Sequence, residues 1–290
     1  MTLLFERAPA KINLSLLIHR RRSDGYHELE SLVAFSGSGD VLSLQPGGAR
    51  TLSVSGPCAK DTGPVDNNLV LQAAQRLRQH IPDLRSGAFH LYKNLPAASG
   101  IGGGSSDAAA ALRLLARSND VPLDDPRLLT AAASIGADVP VCLAAQARMM
   151  SGIGDALGSP IELPPLYAAL VNPGVALETK DVFARLNLVA GEDYTMSHHP
   201  LVENGMPAGD LLSALRKTRN DMEDAASVMA PVITDVLAVL GAARGCKLAR
   251  MSGSGATCFG LFETRRAASR AARTIRKTCP GWWVKACVLR

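Results

Sequence analysis

A run of small residues followed at once by strong helix formers occupies residues 95–116, with the sequence LPAASGIGGGSSDAAAALRLLA. Four glycines fall within five positions, at Gly100, Gly102, Gly103 and Gly104. Glycine adopts positive φ and lets a ligand approach the main chain, whereas the alanine and leucine run that follows has high helix propensity. The sequence therefore predicts a loop that opens into the N-terminus of a helix.

The predicted helix end is suited to binding an anion. Its first N–H groups have no partner within the helix, and the end carries about half a positive charge, so it attracts phosphate. Ser105, Ser106 and Asp107 are typical of an N-cap or a first turn. Upstream, apolar and polar residues alternate over residues 87–92, which indicates a strand. A strand, a glycine loop and a helix favour a phosphate-binding loop over an ordinary capped turn.

The standard nucleotide-binding motifs do not account for this loop. A P-loop ends in Gly-Lys followed by Ser or Thr, and no lysine of this chain follows a glycine. In a dinucleotide fingerprint that starts at Gly100 and Gly102, the third glycine is due at the position of Ser105. The His-Arg-Asp triplet of protein kinases is also absent.

Composition allows an enzyme that acts on anionic substrates. The chain has 290 residues and a net charge of +5, which suits phosphorylated substrates but would equally suit nucleic acid. The most basic segment, residues 263–277, contains no aromatic residue for base stacking. We expect this segment to be a solvated helix surface, and we expect no nucleic-acid partner.

The positions of the cysteines, histidines and apolar runs give predictions about the cellular compartment and about metal binding. None of the six cysteines forms a C-x-x-C pair, which indicates free thiols in a reducing cytoplasm. Charges at Glu6 and Arg7 come too early for a signal peptide, and no apolar run of about 18 residues predicts a membrane span. The adjacent His198 and His199 point in different directions, and no acid at ligand spacing joins them, so a loop is predicted there and no metal site.

The periodicities predict two α/β layers with a boundary near residue 160. Strands are expected mainly in the first third, and a helix that begins at residue 125 is expected to stop at Gly136, with Pro140 enforcing the stop. Helices and strands alternate after residue 160, which indicates a second domain over residues 161–290 after a first domain over 1–160. Residues 191–210 are rich in turn formers and predict a mobile loop.

Three further clusters contain residues able to do chemistry. APAKINLSL places Lys11 and Asn13 on one strand, DGYHELES places Tyr26 and His27 at a turn, and GADVP places Asp138 before an apolar run. A carboxylate in apolar surroundings is costly unless it is paired or used. Taken singly, Asp138 is explained as well by a structural role, as a helix cap or a buried ion pair, as by a functional one. Taken singly, Lys11 is typical of a surface lysine and the Tyr-His pair of a half-buried turn.

Together these clusters resemble the GHMP kinases, the superfamily of galactokinase and of homoserine, mevalonate and phosphomevalonate kinases. The match comprises PAASGIGGGSSDAA, SGSGATCFG, APAKINLSL, DGYHELES, GADVP and RNDME. It departs mildly from the family pattern at Ile101 and at Met222. The resemblance implies an α/β (α+β) protein of two domains, the first with a left-handed βαβ unit and the second ferredoxin-like.

The resemblance also implies an activity and its residues. ATP, accompanied by Mg²⁺, would phosphorylate the 2-hydroxyl of a small substrate, a cytidyl diphosphate sugar alcohol of the non-mevalonate isoprenoid route. Asp138 would accept the hydroxyl proton, Lys11 would support the reacting oxygens, and Ser105 or Ser106 would reach the metal, with no all-protein metal site. The residues expected to bind ATP are Pro96, Ala97, Ala98, Ser99, Gly100, Ile101, Gly102, Gly103, Gly104, Ser105 and Ser106. Those expected to bind the substrate are Asn13, Tyr26, His27, Gly253 and Gly255, while Lys93, Asn94 and Asn67 are further candidates for contacts to the nucleoside.

Three alternatives stay open at this point. Another GHMP kinase acting on homoserine, a sugar or a mevalonate derivative would share the glycine loop but lack the Tyr-His pair. A non-catalytic sensor of this fold would have lost Lys11 or Asp138, and both are present. A nucleic-acid-binding protein would show affinity that falls steeply with salt. We expect a monomer or a weak homodimer with no membrane partner.

Overall fold

The computed structural model describes residues 2–195 and 197–290. Its strands are β1 Leu4–Asn13, β2 Leu17–Arg21, β3 His27–Pro46, β4 Thr51–Ser55, β5 Gly87–Tyr92, β6 Arg148–Ser151, β7 Ala156–Leu157, β8 Leu166–Asn172, β9 Cys246–Met251, β10 Cys258–Phe262 and β11 Trp283–Leu289. Its helices are α1 Leu69–His80, α2 Gly103–Ser118, α3 Pro126–Ile135, α4 Val139–Ala144, α5 Thr179–Arg185, α6 Ala208–Arg216, α7 Glu223–Met229, α8 Val232–Ala242 and α9 Arg265–Thr278.

The chain forms two compact units, each made of several segments. Unit 1 comprises residues 1–10, 39–97 and 102–145, and unit 2 comprises residues 11–38, 98–101 and 146–290. The sequence instead predicts two domains with one boundary at residue 160. That boundary stays a prediction about the two domains of the family.

Unit 1 contains a βαβ arrangement and a group of packed helices. Strand β4 runs parallel to β5, helix α1 lies between them in the chain, and β3 pairs antiparallel with β5. Alternate residues of β5 are buried, among them Phe89 and Leu91, as the polar–apolar alternation predicts. Helix α2 is buried over most of its length and packs against α1, α3 and α4. The handedness of the crossover stays a prediction.

Unit 2 contains a ferredoxin-like sheet, in agreement with the prediction. Four antiparallel strands lie in the order β11-β8-β10-β9, with α9 connecting β10 to β11. Numbered along the chain, this order is 4-1-3-2, the arrangement of the split βαβ fold. Apolar residues of α8 and α9, among them Val236, Leu240 and Ile275, join the core beneath this sheet. Thr264 caps α9, its hydroxyl oxygen accepting from the Ala267 N–H at 3.2 Å.

The structure corrects the predicted elements in a few places. Within the first third of the chain, where strands are predicted, residues 27–46 form a single long strand, β3, and the short strands β6 and β7 were not predicted. Pro140 does not enforce a stop: α3 ends at Gly136, and Pro140 lies in the first turn of a second helix, α4. Proline is tolerated there because the first N–H groups of a helix have no acceptor within it.

Two predictions from composition can be compared with the structure. All six cysteines lie within the described residues and are free thiols. No helix formed by residues 2–195 and 197–290 is both long and apolar enough to span a bilayer. Residues 191–210 form little regular structure before α6 begins, although Met196 lies outside the described residues. The mobility of this segment stays a prediction.

Candidate active site

The glycine loop ends at the N-terminus of α2, as the sequence predicts. Gly102 is the N-cap and has left-handed backbone angles, φ 61° and ψ 27°. Because the cap is a glycine, no side chain covers the N–H groups of Gly103, Gly104 and Ser105 by capping. These three groups lie in the first turn, where the helix itself supplies no acceptor. The helix end is therefore a set of convergent main-chain donors.

Steric contacts within the fold require glycine less strongly at positions 103 and 104 than at Gly100. A Cβ atom at Gly103 would have the Lys93 Nζ, at 3.6 Å, as its nearest neighbour among the described residues. At Gly104 the nearest atom is the Leu69 Cδ1 at 3.3 Å, the end of a flexible side chain. Close approach of a ligand to the main chain is the remaining physical reason for glycine at these two positions.

The polar residues of the motif have different roles. Ser106 is buried and donates from its hydroxyl to the Pro9 carbonyl at 2.5 Å, whereas Ser105 is half-buried in the first turn. Asp107 lies in the second turn, so its predicted place at the N-cap or first turn is wrong. The reason is that the helix begins at Gly103, earlier than the propensities indicate.

Asp107 belongs to a buried ion-paired triad with Lys93 and Asp40. The Lys93 ammonium lies 2.7 Å from Asp107 Oδ2 and 2.5 Å from Asp40 Oδ2. Burial raises the pKa of Asp107 to about 8. The other oxygen of Asp40 accepts from the Leu95 N–H at 2.9 Å. Lys93 is thus committed to the interior of unit 1 and is not available as a contact to a nucleoside.

Asp138 lies at the start of α4, and a side chain of α2 forms hydrogen bonds near the end of α4. Asp138 is half-buried and is the N-cap residue, yet its side chain makes no capping hydrogen bond within the described part of the chain. From α2, Arg113 donates to the carbonyls of Cys142 and Leu143 at 2.9 and 3.1 Å, near the end of α4. Of the two single-residue interpretations of Asp138, the structure does not support a side-chain helix cap.

In unit 2, the first half of the glycine loop is fixed through its carbonyl groups. The Ser99 carbonyl accepts from the Thr257 N–H at 3.1 Å, and the Gly100 carbonyl accepts from the Ser252 hydroxyl at 3.0 Å. The Ile101 carbonyl accepts from the Lys11 N–H at 2.9 Å. Residues 99–101 are therefore held in place, and their carbonyl groups already accept hydrogen bonds.

The two glycine-rich segments of the sequence contact each other inside unit 2. A Cβ atom at Gly100, where φ is +73°, would lie 2.4 Å from the Ser252 carbonyl oxygen. At Gly253, where φ is +55°, a Cβ atom would lie 2.8 Å from the Gly100 carbonyl oxygen. Gly255 has φ +85°, with the Met251 sulfur 2.6 Å from the position of a Cβ. Backbone geometry and close packing require these glycines, and their contact with substrate stays a prediction.

Lys11 and Asn13 lie on β1 beside this loop. Both residues are almost fully buried, so the interpretation of Lys11 as a surface lysine is wrong. Asn13 donates from Nδ2 to the Ser31 hydroxyl at 2.8 Å, and its N–H donates to the Ser252 hydroxyl at 3.1 Å. Its amide oxygen lies 3.3 Å from the Cβ position of Gly253. The structure thus brings Lys11, Asn13, Gly100 and Gly253 together.

Tyr26 and His27 lie at the turn between β2 and β3. Tyr26 is 59% exposed, and its N–H donates to Asp24 Oδ1 at 3.1 Å. The ring of His27 stacks on Phe183 of α5, with centroids 4.4 Å apart and planes inclined by 16°. Burial lowers the pKa of His27, with the charge of Arg21 as a second cause. Phe183 was missed by the sequence analysis, because DVFARL carries only a helical pattern.

Side chains of the RNDME segment, residues 219–223, form hydrogen bonds with the main chain of the second glycine turn and of β2. Asn220 donates from Nδ2 to the carbonyls of Met251 and Gly253, at 2.9 and 2.8 Å. Asp221 accepts from the Ile18 N–H at 2.7 Å, and Glu223 accepts from the Met251 N–H at 2.7 Å. These three polar side chains support the main chain around the loop, a role that their spacing in the sequence does not reveal.

Comparison with known proteins assigns the family. The family model for the GHMP kinases N terminal domain matches residues 68–146, and the model for GHMP kinases C terminal matches residues 202–281. This chain belongs to the GHMP kinase family. The resemblance predicted from its motifs is confirmed, and so is the two-domain α/β fold.

Relatives of this GHMP kinase align with it over essentially its whole length. A protein of Methylobacterium radiotolerans named 4-diphosphocytidyl-2-C-methyl-D-erythritol kinase is 56% identical to this chain. The alignment covers 100% of both chains. A crystal structure of 4-(cytidine 5'-diphospho)-2C-methyl-D-erythritol kinase is 31% identical, with a TM-score of 0.74 and 99% of each chain covered. Homoserine kinase from Cytophaga hutchinsonii, at 19% identity and a TM-score of 0.70 over 99% of this chain and 94% of its own, shares the fold.

Proposed function

We propose that this GHMP kinase transfers the γ-phosphoryl group of ATP to the 2-hydroxyl of 4-diphosphocytidyl-2-C-methyl-D-erythritol, a step of the non-mevalonate route to isoprenoid precursors. The observation that carries the proposal is the end of α2, where the N-cap residue is Gly102 and no side-chain cap takes up the first N–H groups. The names of the full-length relatives support the choice of acceptor. The Tyr-His pair, which the homoserine and mevalonate branches should lack, supports it too.

The helix end binds the phosphates of ATP in this proposal. The N–H groups of Gly103, Gly104 and Ser105 donate to phosphate oxygens, and the helix dipole favours their negative charge. Pro96, Ala97 and residues 98–101, which precede the helix in the chain, are further ATP contacts in this proposal, by similarity to the family motif. The carbonyls of Ser99, Gly100 and Ile101 already accept hydrogen bonds within unit 2.

By similarity to the family, Asp138 and Lys11 are the side chains that catalyse the phosphoryl transfer. The hydroxyl oxygen bonds to the γ-phosphorus, the bond from that phosphorus to the β,γ-bridging oxygen breaks, and ADP leaves. The hydroxyl proton passes to the carboxylate of Asp138, and the ammonium of Lys11 supports the negative charge of the reacting oxygens. Phosphoryl transfer needs positioning and charge neutralisation more than covalent help, so this small set of side chains suffices.

The cytidyl group binds at the turn between β2 and β3. The stacked His27 and Phe183 rings form an aromatic surface, and Tyr26 presents an exposed ring beside His27 in the sequence. A His27 side chain whose pKa is lowered by burial stays neutral at physiological pH and can donate to and accept from a base edge. Asn13, Gly253 and Gly255 complete the substrate contacts in this proposal.

Mg²⁺ fits this site through Ser105 rather than Ser106. The Ser106 hydroxyl already donates to the Pro9 carbonyl, whereas the half-buried Ser105 lies in the first turn of α2. When bound, Mg²⁺ neutralises phosphate charge and keeps several water ligands, so it requires few protein ligands. We propose further that the enzyme works in the cytoplasm as a monomer or weak homodimer, with residues 1–160 and 161–290 as its family domains.

The experiment that tests the function is a coupled assay of ADP release. The purified protein is given ATP with the diphosphocytidyl substrate, homoserine, mevalonate or galactose, each with and without Mg²⁺. We expect Mg²⁺-dependent turnover with the diphosphocytidyl substrate alone. Turnover confined to one of the other acceptors would overturn the choice of substrate, and turnover with none would leave the sensor as the better interpretation.

A further inference from the structure

Two histidines and a glutamate from distant parts of the sequence meet on the surface of unit 2. His19 Nε2 lies 3.5 Å from Glu30 Oε2, and His198 Nδ1 lies 3.9 Å from the same oxygen. One ligand atom from each of the three residues lies within 4.8 Å of the other two. Ligands at metal–ligand bonds of about 2.0–2.2 Å lie roughly 3–4 Å apart, so small side-chain rotations bring these atoms to metal-binding distance.

The local backbone explains why these side chains converge. Leu17 pairs with Glu30 across the β2–β3 ladder, and a bulge between Ile18 and Arg20 leaves His19 as the extra residue. Bulges re-aim side chains and occur often next to functional sites. The segment that carries His198 is tied to both strands, because the Tyr194 N–H donates to the His19 carbonyl at 2.6 Å and the His199 N–H donates to Glu30 Oε2 at 2.9 Å.

The hydrogen bonding of His19 favours a cation between the side chains. His19 Nδ1 lies 3.4 Å from the Thr195 carbonyl oxygen, which can only accept, so this nitrogen carries the hydrogen. In the neutral ring, Nε2 then presents a lone pair to the carboxylate of Glu30. Two acceptors that face each other require a shared cation or a proton. A ligating histidine whose other nitrogen donates to a backbone carbonyl is the usual second-shell arrangement of metal sites.

We propose that His19, Glu30 and His198 bind a divalent transition metal ion of the Zn²⁺ class. Two imidazoles and one carboxylate suit such ions and do not suit Mg²⁺, which prefers oxygen ligands, so this site is separate from the Mg²⁺ that accompanies ATP. The sequence predicts no metal site at His198 and His199, because the acid and the second histidine are far away in the chain. The bound ion fastens residues 193–195 and 197–199 to the β2–β3 hairpin, whose turn carries Tyr26 and His27.

The first test uses the full chain and metal alone, without ATP or substrate. Co²⁺ titration followed by absorption spectroscopy, with Zn²⁺ competition, gives the affinity and separates histidine and carboxylate ligands from thiolates. We expect one ion per chain in the wild type and at least about 10-fold weaker binding in His19→Ala, His198→Ala and Glu30→Gln. His80→Ala is the matched control, because His80 is exposed on α1 in unit 1, and it should bind as the wild type does.

A second readout tests the fastening of the segment. Limited proteolysis within residues 191–200 should slow when Zn²⁺ is added to the wild type and stay unchanged in His198→Ala. The His198 side chain is 81% exposed, so this variant is expected to fold normally. Equal affinity of the variants and the wild type, thiolate bands in the Co²⁺ spectrum, or no binding at all would each overturn the proposal. The proposal does not depend on the kinase activity.

Discussion

Lys93 Nζ lies 2.7 Å from Asp107 Oδ2, and both side chains are almost completely buried. This pair fixes the second turn of α2 to the residue that follows β5, one turn beyond the amides at the start of the helix. With Asp40 on the other side of Lys93, two carboxyl groups share one ammonium, and burial favours a proton on Asp107. The aspartate of the GGGSSD motif therefore acts on the position of the helix end and does not cap it.

The triad makes stability depend on pH in a definite direction. Burial raises the pKa of Asp107 to about 8, above the 3.8 expected for the unfolded chain. Between these values the folded protein keeps a proton that the unfolded chain loses, so the free energy of unfolding falls as pH rises from about 4 to about 8. Asp107→Asn removes this titration.

Urea unfolding at pH 5 and pH 8 measures the effect of Asp107. We expect the wild type to lose more stability than Asp107→Asn over this interval, by more than about 1 kcal/mol. Titrations of groups remote from the triad cancel in the difference between the two proteins, so the difference reports on Asp107 together with its partners Lys93 and Asp40. Parallel losses in both would contradict the raised pKa of Asp107.

The variants Gly100→Ala and Gly103→Ala should distinguish a glycine that the fold requires from a glycine that ATP binding requires. A Cβ at position 100 would lie 2.4 Å from a carbonyl oxygen, in backbone with φ +73°, so we expect destabilisation of about 2 kcal/mol or more. At position 103 the nearest atom is 3.6 Å away, so Gly103→Ala should stay within about 1 kcal/mol of the wild type.

Both the stability and the ATP binding of the two glycine variants must be measured to interpret their effects. Thermal unfolding gives the first, and the KM for ATP gives the second. Gly103→Ala should raise the KM for ATP at unchanged stability. A folded Gly103→Ala variant with normal affinity for ATP would contradict the binding of phosphates at the end of α2.

Asp138→Asn should abolish most turnover without unfolding the protein. General acid–base groups contribute about 10²- to 10⁴-fold to rates, and we expect kcat to fall within that range. The matched control is Asp125→Ala, because Asp125 caps α3 by accepting from the Arg127 N–H at 2.9 Å. That variant should lose about 0.5–2 kcal/mol of stability and keep its kcat. A kcat near the wild-type value in Asp138→Asn would remove Asp138 as the base.

Tyr26→Ala and Phe183→Leu should weaken binding of the cytidyl substrate and leave ATP binding intact. Stacking of a base on an aromatic side chain is worth about 1–3 kcal/mol, so the KM for that substrate should rise roughly 5- to 150-fold. Val189→Ala, another exposed apolar position of unit 2, serves as the control and should leave both KM values unchanged. Parallel rises in both KM values would indicate misfolding rather than a role in cytidyl binding.

The parts of the fold that could be predicted are those with local causes. The alternation in residues 87–92, the alanine run of α2 and the helical pattern of residues 263–277 each act over a few residues, and the corresponding elements are present. The helix stop at Gly136 was predicted correctly, but the role given to Pro140 was wrong, because proline is compatible with a helix start as well as with a stop.

The sequence by itself determined the family motifs, the strand–loop–helix order and the residue types able to bind phosphate, because these depend on local conformational preference and on residue identity. Only the tertiary structure decided which long-range partners each group has. Ser252 reaches Gly100, Asn220 reaches Gly253, and Glu30 meets His19 and His198. Such contacts join segments that are up to about 170 residues apart, and they form only when the packing of whole sheets and helices brings those segments together.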